Sequence, residues 1–310
     1  MSDSPSDPAM DNASAVQDVY RRYTGEVASL VAGGRAFAVE AEDLTCVQVE
    51  RGSVFARGLV SQQVFEPSTV ERLIELAGSP ELSRVVVVDR GGHHRPAYRG
   101  LLVYAWLQAY RLVYETMSAS EFGRWEEALR AWCDLLEAEL GAVAWPGDGM
   151  PASRGASATE AAWTALALHV AGKVFVRDAW TDLASDTFGK LARGQQPNGA
   201  FLRATPSDNP ETLWYHELVL LHAAASYAVQ SEDRPLAACV ARNTAYHLAE
   251  TQPDHATSQP WGLFAFVWNP ATRPLADGML HAVRAQHPQG VTGVSLMLLA
   301  DALYCLRLFL

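Results

Sequence analysis

The sequence predicts an all-α protein, and within that class an α/α toroid of helical hairpins preceded by a small mixed N-terminal segment. Three observations lead there. Strand signals stop near residue 100, and helical periodicity then runs through to residue 310. Helices that are apolar all round alternate with helices that keep one wet face. A proline-bearing turn recurs after each one-sided helix, which is the mark of a degenerate hairpin repeat.

Taken in order, residues 1–14 are polar and acidic and are expected as a disordered tail, 15–100 as a mixed α/β segment, and 101–310 as the helical domain. Residues 15–31 read as a helix stopped at Gly33-Gly34. The stretch 36–64 alternates in short runs that suggest strands or hairpins. Residues 67–77 read as a short helix ended by Gly78, and 84–89, with consecutive valines, as a strand. Residues 101–117 are apolar nearly all round, so that helix must be surrounded by protein. Residues 120–140 place Phe122, Trp125, Leu129, Trp132 and Leu136 on one side. Residues 157–171 are buried again, opening with a capping-box pattern, Ser157 to Glu160. Residues 178–193 are one-sided and stop at Gly194. Residues 211–229 are buried, entered through Asn209 as cap, Pro210 in the first turn and Glu211 matching the dipole. Residues 233–250 are wetter, 261–268 short and apolar, 274–285 one-sided, and 294–309 apolar but for Asp301 and Arg307. The joints carry Trp145-Pro146, Gln196-Pro197, Gln252-Pro253 and His287-Pro288, each followed within a few residues by Gly, Asn or Asp. Proline cannot continue a helix, and those neighbours supply the turn back inward. A toroid follows because an open solenoid leaves one helix of each pair a solvent face.

Composition removes several function classes. With 49% hydrophobic residues in 310, the chain buries a large core, and disorder is excluded for most of it. A net charge of −11 opposes nucleic-acid binding, which needs Lys and Arg to neutralise phosphates. Cys46, Cys133, Cys239 and Cys305 are widely spaced, as reduced core residues are, rather than a disulfide framework or a metal set. The N-terminus lacks the basic-then-apolar order of a signal peptide, and no apolar run is long enough for a membrane span. The expectation is a soluble cytoplasmic protein of undetermined oligomeric state, without a cofactor.

Gln195-x-x-x-Gly199-x-Phe201 resembles the Gln-x3-Gly-x-Trp/Phe motif of squalene–hopene cyclase and prenyltransferase toroids. In that family the glutamine ties a helix end to the next turn, and the aromatic packs there. The same turn is similar to the outer-to-inner turns of six-hairpin glycosidases and toroidal polysaccharide lyases. The resemblance covers one turn and implies the fold, not the chemistry. The Asp-x-Asp-Asp proton donor of the cyclases and the Asp-Asp-x-x-Asp magnesium motif of terpene synthases are absent from the sequence.

Helix alternation has a geometric consequence. All outer-to-inner loops (89–100, 141–156, 194–210, 252–260, 286–292) emerge on one face, and they are the long ones, so the candidate site is there. Glycoside hydrolysis needs a carboxyl pair, for which Asp148, Asp208 and Asp254 are the candidates. β-Elimination of a uronic acid uses Tyr or His for proton transfer and a cation for the sugar carboxylate, which Tyr215, His216 and His255 with His94, Arg95 and Arg154 can supply. Trp145, Trp214 and Trp261 are candidate stacking surfaces for sugar. Each has a plainer role: Asp148 and Asp254 suit turns, and Tyr215 and His216 suit a hydrogen-bonded core. His93-His94 is too short a signal for zinc, with no further ligands to complete it, so no metal is expected. The leading expectation is a hydrolase or lyase acting on an oligosaccharide substrate. A terpenoid cyclase-like or prenyl-binding toroid and a non-catalytic interaction module are the alternatives.

Overall fold

The computed structural model describes residues 8–32, 38–39, 47–48, 73–78, 82, 97–113, 117–143, 155–291 and 293–310. It is an all-α protein. Helix α1 (Pro8–Ala32) comes first. A minimal antiparallel ladder follows, β1 (Ala38–Val39) on β2 (Val47–Gln48), with Ala38 opposite Gln48. A helical turn at 73–77 precedes the main helical run. That run is α2 (Tyr98–Val113), α3 (Ala119–Gly141), α4 (Gly155–Phe175), α5 (Asp178–Gly194), α6 (Pro210–Ser231) and α7 (Arg234–Glu250). It ends with the short α8 (Pro253–Ala256), α9 (Leu263–Trp268), α10 (Arg273–Gln286) and α11 (Gly293–Arg307). The expected strand at 84–89 lies outside the described residues.

The alternation read in the sequence is physical. In α4 every residue from 158 to 172 is buried except Glu160, whereas α5 buries one stripe, Trp180, Ala184, Thr187, Phe188 and Leu191. The buried helices α2, α4, α6, α9 and α11 pack on one another, and α3, α5, α7 and α10 lie outside them. Their register shows the direction of the inner helices. Trp163 faces His222 at 5.5 Å between ring centres, and His169 faces Tyr227 at 4.7 Å. Tyr104 meets Trp163, and Tyr110 meets Phe175, each at 5.9 Å. Rising numbers meet rising numbers, so α2, α4 and α6 run parallel.

Helix α1 is longer than the helix expected at 15–31. It begins at Pro8, inside the stretch read as a tail, because proline is well accommodated in a first helical turn. Its later turns pack against the last two helices of the chain. It packs along α11, Tyr20 stacks on Phe309 at 5.0 Å, and Arg22 and Glu26 pair with Asp277 and Arg284 of α10 at 2.9 and 3.1 Å. Helix α4 starts at Gly155, so Ser157 stands in its first turn. A capping box forms at α3, where Ser118 and Glu121 exchange hydrogen bonds. Asn209 caps α6 as expected, its Oδ1 accepting from the Thr212 N–H at 3.1 Å.

Two features fix the inner layer. The first is Gly100, where an added Cβ would stand 2.7 Å from the Thr164 nitrogen and the Trp163 carbonyl carbon; α2 and α4 cross backbone to backbone. The second is Asp301, fully buried on α11. Its Oδ1 accepts from the Tyr104 hydroxyl of α2 at 2.6 Å, and its Oδ2 from Ser226 and His222 of α6 at 2.5 and 3.0 Å. The Gly262 N–H donates to His222 Nδ1 at 3.1 Å. A backbone amide can only donate, so Nδ1 is the bare nitrogen and Nε2 carries the proton given to Asp301. Gln230 in turn donates to the Tyr104 oxygen at 2.8 Å. The carboxylate thus joins α2, α6 and α11, and through His222 the start of α9.

Both features make predictions. Gly100→Ala overpacks the crossing and lowers stability by about 1–3 kcal/mol in chemical denaturation. Asp301→Ala strands three buried donors and costs about 3–5 kcal/mol, while Asp254→Ala, at an exposed position, stays within about 0.5 kcal/mol of the parent.

Candidate functional site

The turn after α5 places the rim. Gln195 Nε2 donates to the Gly199 carbonyl at 2.9 Å and to the Cys239 carbonyl of α7 at 2.8 Å, and Arg242 holds its Oε1 at 2.9 Å. The glutamine therefore ties the end of α5 to the turn and to the next outer helix. Gly199 has φ of 95°, and a Cβ there would lie 2.5 Å from the Arg242 carbonyl oxygen, so both backbone angle and space demand glycine. Phe201 is fully buried behind it. The chain then turns inward to α6.

That inward turn is anchored on Glu217, a fully buried acid on α6. Its oxygens accept from the Phe201 and Leu202 amides at 3.0 and 2.5 Å and from Asn243 at 2.9 Å. Burial pushes its carboxyl up to about 7, against those three donors, which pull the other way. Sequence reading passed over Glu217, although a lone acid inside an otherwise apolar helical face was the available signal. Asp301 carried the same signal and was noted only as an exception in its helix.

The starts of inner helices and the ends of outer ones share a face. Arg99 at the start of α2 pairs with Glu139 near the end of α3. Asn198 in the 195–201 turn reaches Glu250 at the end of α7 at 3.0 Å. Tyr215 near the start of α6 meets Trp261, just before α9, edge-on at 6.3 Å. Tyr215 and His216 stand half-buried side by side with ring centres 5.4 Å apart. Beneath them Trp261 touches Trp163 at 5.7 Å and His222 at 5.8 Å, so a column of rings runs from the rim to Asp301.

The expected site residues separate into three groups. Trp214, Tyr215 and His216 are half-buried near the start of α6, with Tyr215 edge-on to Trp261. Trp261 itself is fully buried, its indole N–H donating to Gln259 at 2.8 Å, so it supports Tyr215 from below and has no open face for a sugar. Asp208 is engaged in its own turn, accepting from the Thr205 amide at 2.7 Å. Asp254 and His255 are exposed on α8, where Asp254 borders a groove of about 370 Å³ closed on its far side by Leu275 and Met279 of α10. Asp148, Trp145, Arg154, His94 and Arg95 lie outside the described residues.

Among the described residues no three His, Cys, Asp or Glu side chains are grouped to hold a metal ion, and no helix is long and apolar enough to cross a membrane. Cys133, Cys239 and Cys305 are free and buried. Comparison with protein-family models, curated proteins and solved structures finds no match to this chain.

Glu217 gives a pH signature. Its folded form holds a proton more readily than the ordinary carboxyl at 4.5, so its contribution is most favourable below pH 4.5 and is lost as pH rises toward about 7. The loss is on the order of 3 kcal/mol. Stability measured across that window falls in the parent chain, and the fall is absent in Glu217→Gln.

Proposed function

We propose that the chain is a cytoplasmic carbohydrate-active enzyme built as an α/α toroid, acting on an oligosaccharide at the loop-rich rim. One observation carries this reading: Tyr215 and His216 stand together, half-buried, at the mouth of the inner layer on a buried tryptophan. A phenol and an imidazole at this spacing form a proton-transfer pair, and Trp214 beside them offers an aromatic face. The parallel inner helices, with α1 completing the outer layer against α11, support a closed ring. Free buried thiols fit a reducing compartment.

Within that class the arrangement favours elimination over hydrolysis. Hydrolysis calls for two carboxyls across one bond. Of the described candidates, Asp208 is spent on its turn and Asp254 borders the outer groove. In elimination, one of the pair takes the proton from the carbon beside the uronate carboxylate. The electron pair forms the ring double bond and expels the glycosidic oxygen, which is protonated by the other. The terpenoid reading calls for an open aromatic cavity, whereas the Tyr104, Trp163 and Trp261 rings pack against one another.

Incubation with uronate-containing oligosaccharides should raise absorbance near about 235 nm, the region of the unsaturated product. Tyr215→Phe and His216→Ala should each lower that rate by roughly 10²–10⁴-fold with unchanged circular dichroism. Absence of both unsaturated product and new reducing ends across uronate and neutral oligosaccharides would overturn the reading.

A further inference from the structure

Helix α10 has a flank that neither the packing of the layers nor the proposed reaction uses. Its core side is Ala276, Leu280 and Val283, and its ion pairs to α1 come from Asp277 and Arg284. The remaining flank of an outer helix is ordinarily polar. Here it carries Leu275 and Met279, one turn apart and half-buried, with Gly278 beside them. This flank is one wall of the groove of about 370 Å³, and the opposite wall is the connection from α8, with Asp254, Ser258 and Gln259. Asp254 is the charged residue of the lining, and among the described residues its carboxylate meets no cation. Gln259 ties the groove to the interior, since its Oε1 accepts the Trp261 indole N–H at 2.8 Å.

A groove of this volume lies at the small end of the range for small-molecule sites, which combine apolar walls with a few placed polar groups. The apolar wall takes an alkyl or aryl body, and the flexible thioether of Met279 adapts to its shape. The carboxylate decides the head group. An ammonium donates to Asp254 in a charge-assisted hydrogen bond, and the Ser258 hydroxyl in the same wall is a second acceptor. An anionic head would meet like charge at Asp254 and in the field of a chain of net charge −11. We propose that the groove between α8 and α10 binds a small organic ammonium ion, its cation at Asp254 and its apolar body on Leu275 and Met279.

Hexylammonium is the probe, with hexan-1-ol and ammonium chloride at matched ionic strength as the controls for body and charge. Titration of the full chain followed by NMR should show saturable shifts of the Met279 methyl and of the Trp261 indole N–H, and ammonium chloride should move neither. Asp254→Asn should weaken hexylammonium binding roughly two- to fivefold, the range of an exposed ion pair, and leave hexan-1-ol binding unchanged. Nothing lies within 4 Å of a Cβ added at Gly278, so Gly278→Phe should fold, as circular dichroism would verify, and its ring should fill the groove and abolish binding of both. The proposal fails if hexylammonium binds no tighter than hexan-1-ol. It fails also if the Met279 and Trp261 signals stay still at saturation, or if Gly278→Phe binds as well as the parent. None of these readouts depends on turnover of oligosaccharide, so the two readings stand or fall separately.

Discussion

The structure depends on one buried carboxylate. Asp301 sits where three long inner helices meet, and each oxygen is claimed by hydroxyl or imidazole donors from α2 and α6. Removing a charge from water is expensive, and without such donors the group would oppose folding. With them it becomes a register device. A hydrophobic contact tolerates sliding, but the 2.6 Å bond from Tyr104 and the 3.0 Å bond from His222 survive only in one relative placement of the helices. The His222 ring passes the constraint on, since its other nitrogen accepts the amide at which α9 begins. Packing of apolar stripes drives the helices together, and Asp301 decides at what height.

Glu217 does for the rim what Asp301 does for the centre. It takes the two amides that the chain exposes on turning from the outer layer into the inner one, which would otherwise be buried without partners. Gln195 holds the same turn from its outer side, reaching across to α7. The path from α5 to α6 is therefore fixed at both ends of the turn by side chains, and α6 begins at a defined place. Tyr215 and His216 inherit that placement, since they lie two residues and one residue before Glu217 on the same helix. The proposed proton transfer by this pair needs such rigidity, because reach is measured in tenths of an ångström.

The two ends of the molecule differ in kind. Where α6 begins, the 195–209 connection leaves Trp214, Tyr215 and His216 half open to solvent on a stiff base. At the far end, the described turns between α4 and α5 and between α6 and α7 are only two residues long. Val176 shows how tight these turns are. It adopts a left-handed φ of 52° that a β-branched residue rarely takes, while Arg177 closes the helix end onto the Gly172 carbonyl at 2.9 Å. Arg177 then braces α5 against Asp134 and Glu137 of α3.

Much of this was legible before any coordinates. Helix positions, the inner and outer alternation and the Asn209 cap follow from local rules: periodicity, capping chemistry and the limits of proline and glycine act over a few residues, so they are written in the chain itself; the tie made by Gln195 was implied by the resemblance of its turn. What tertiary structure alone decided is which polar groups meet. Nothing near Asp301 in sequence foretells Tyr104 or His222, nor does anything near Glu217 foretell the amides it receives. The same distance effect covered Trp261 and brought α1 from the start of the chain onto α11. A residue's chemistry depends on what surrounds it, and those surroundings come from segments far apart in the sequence, joined only when the helices pack.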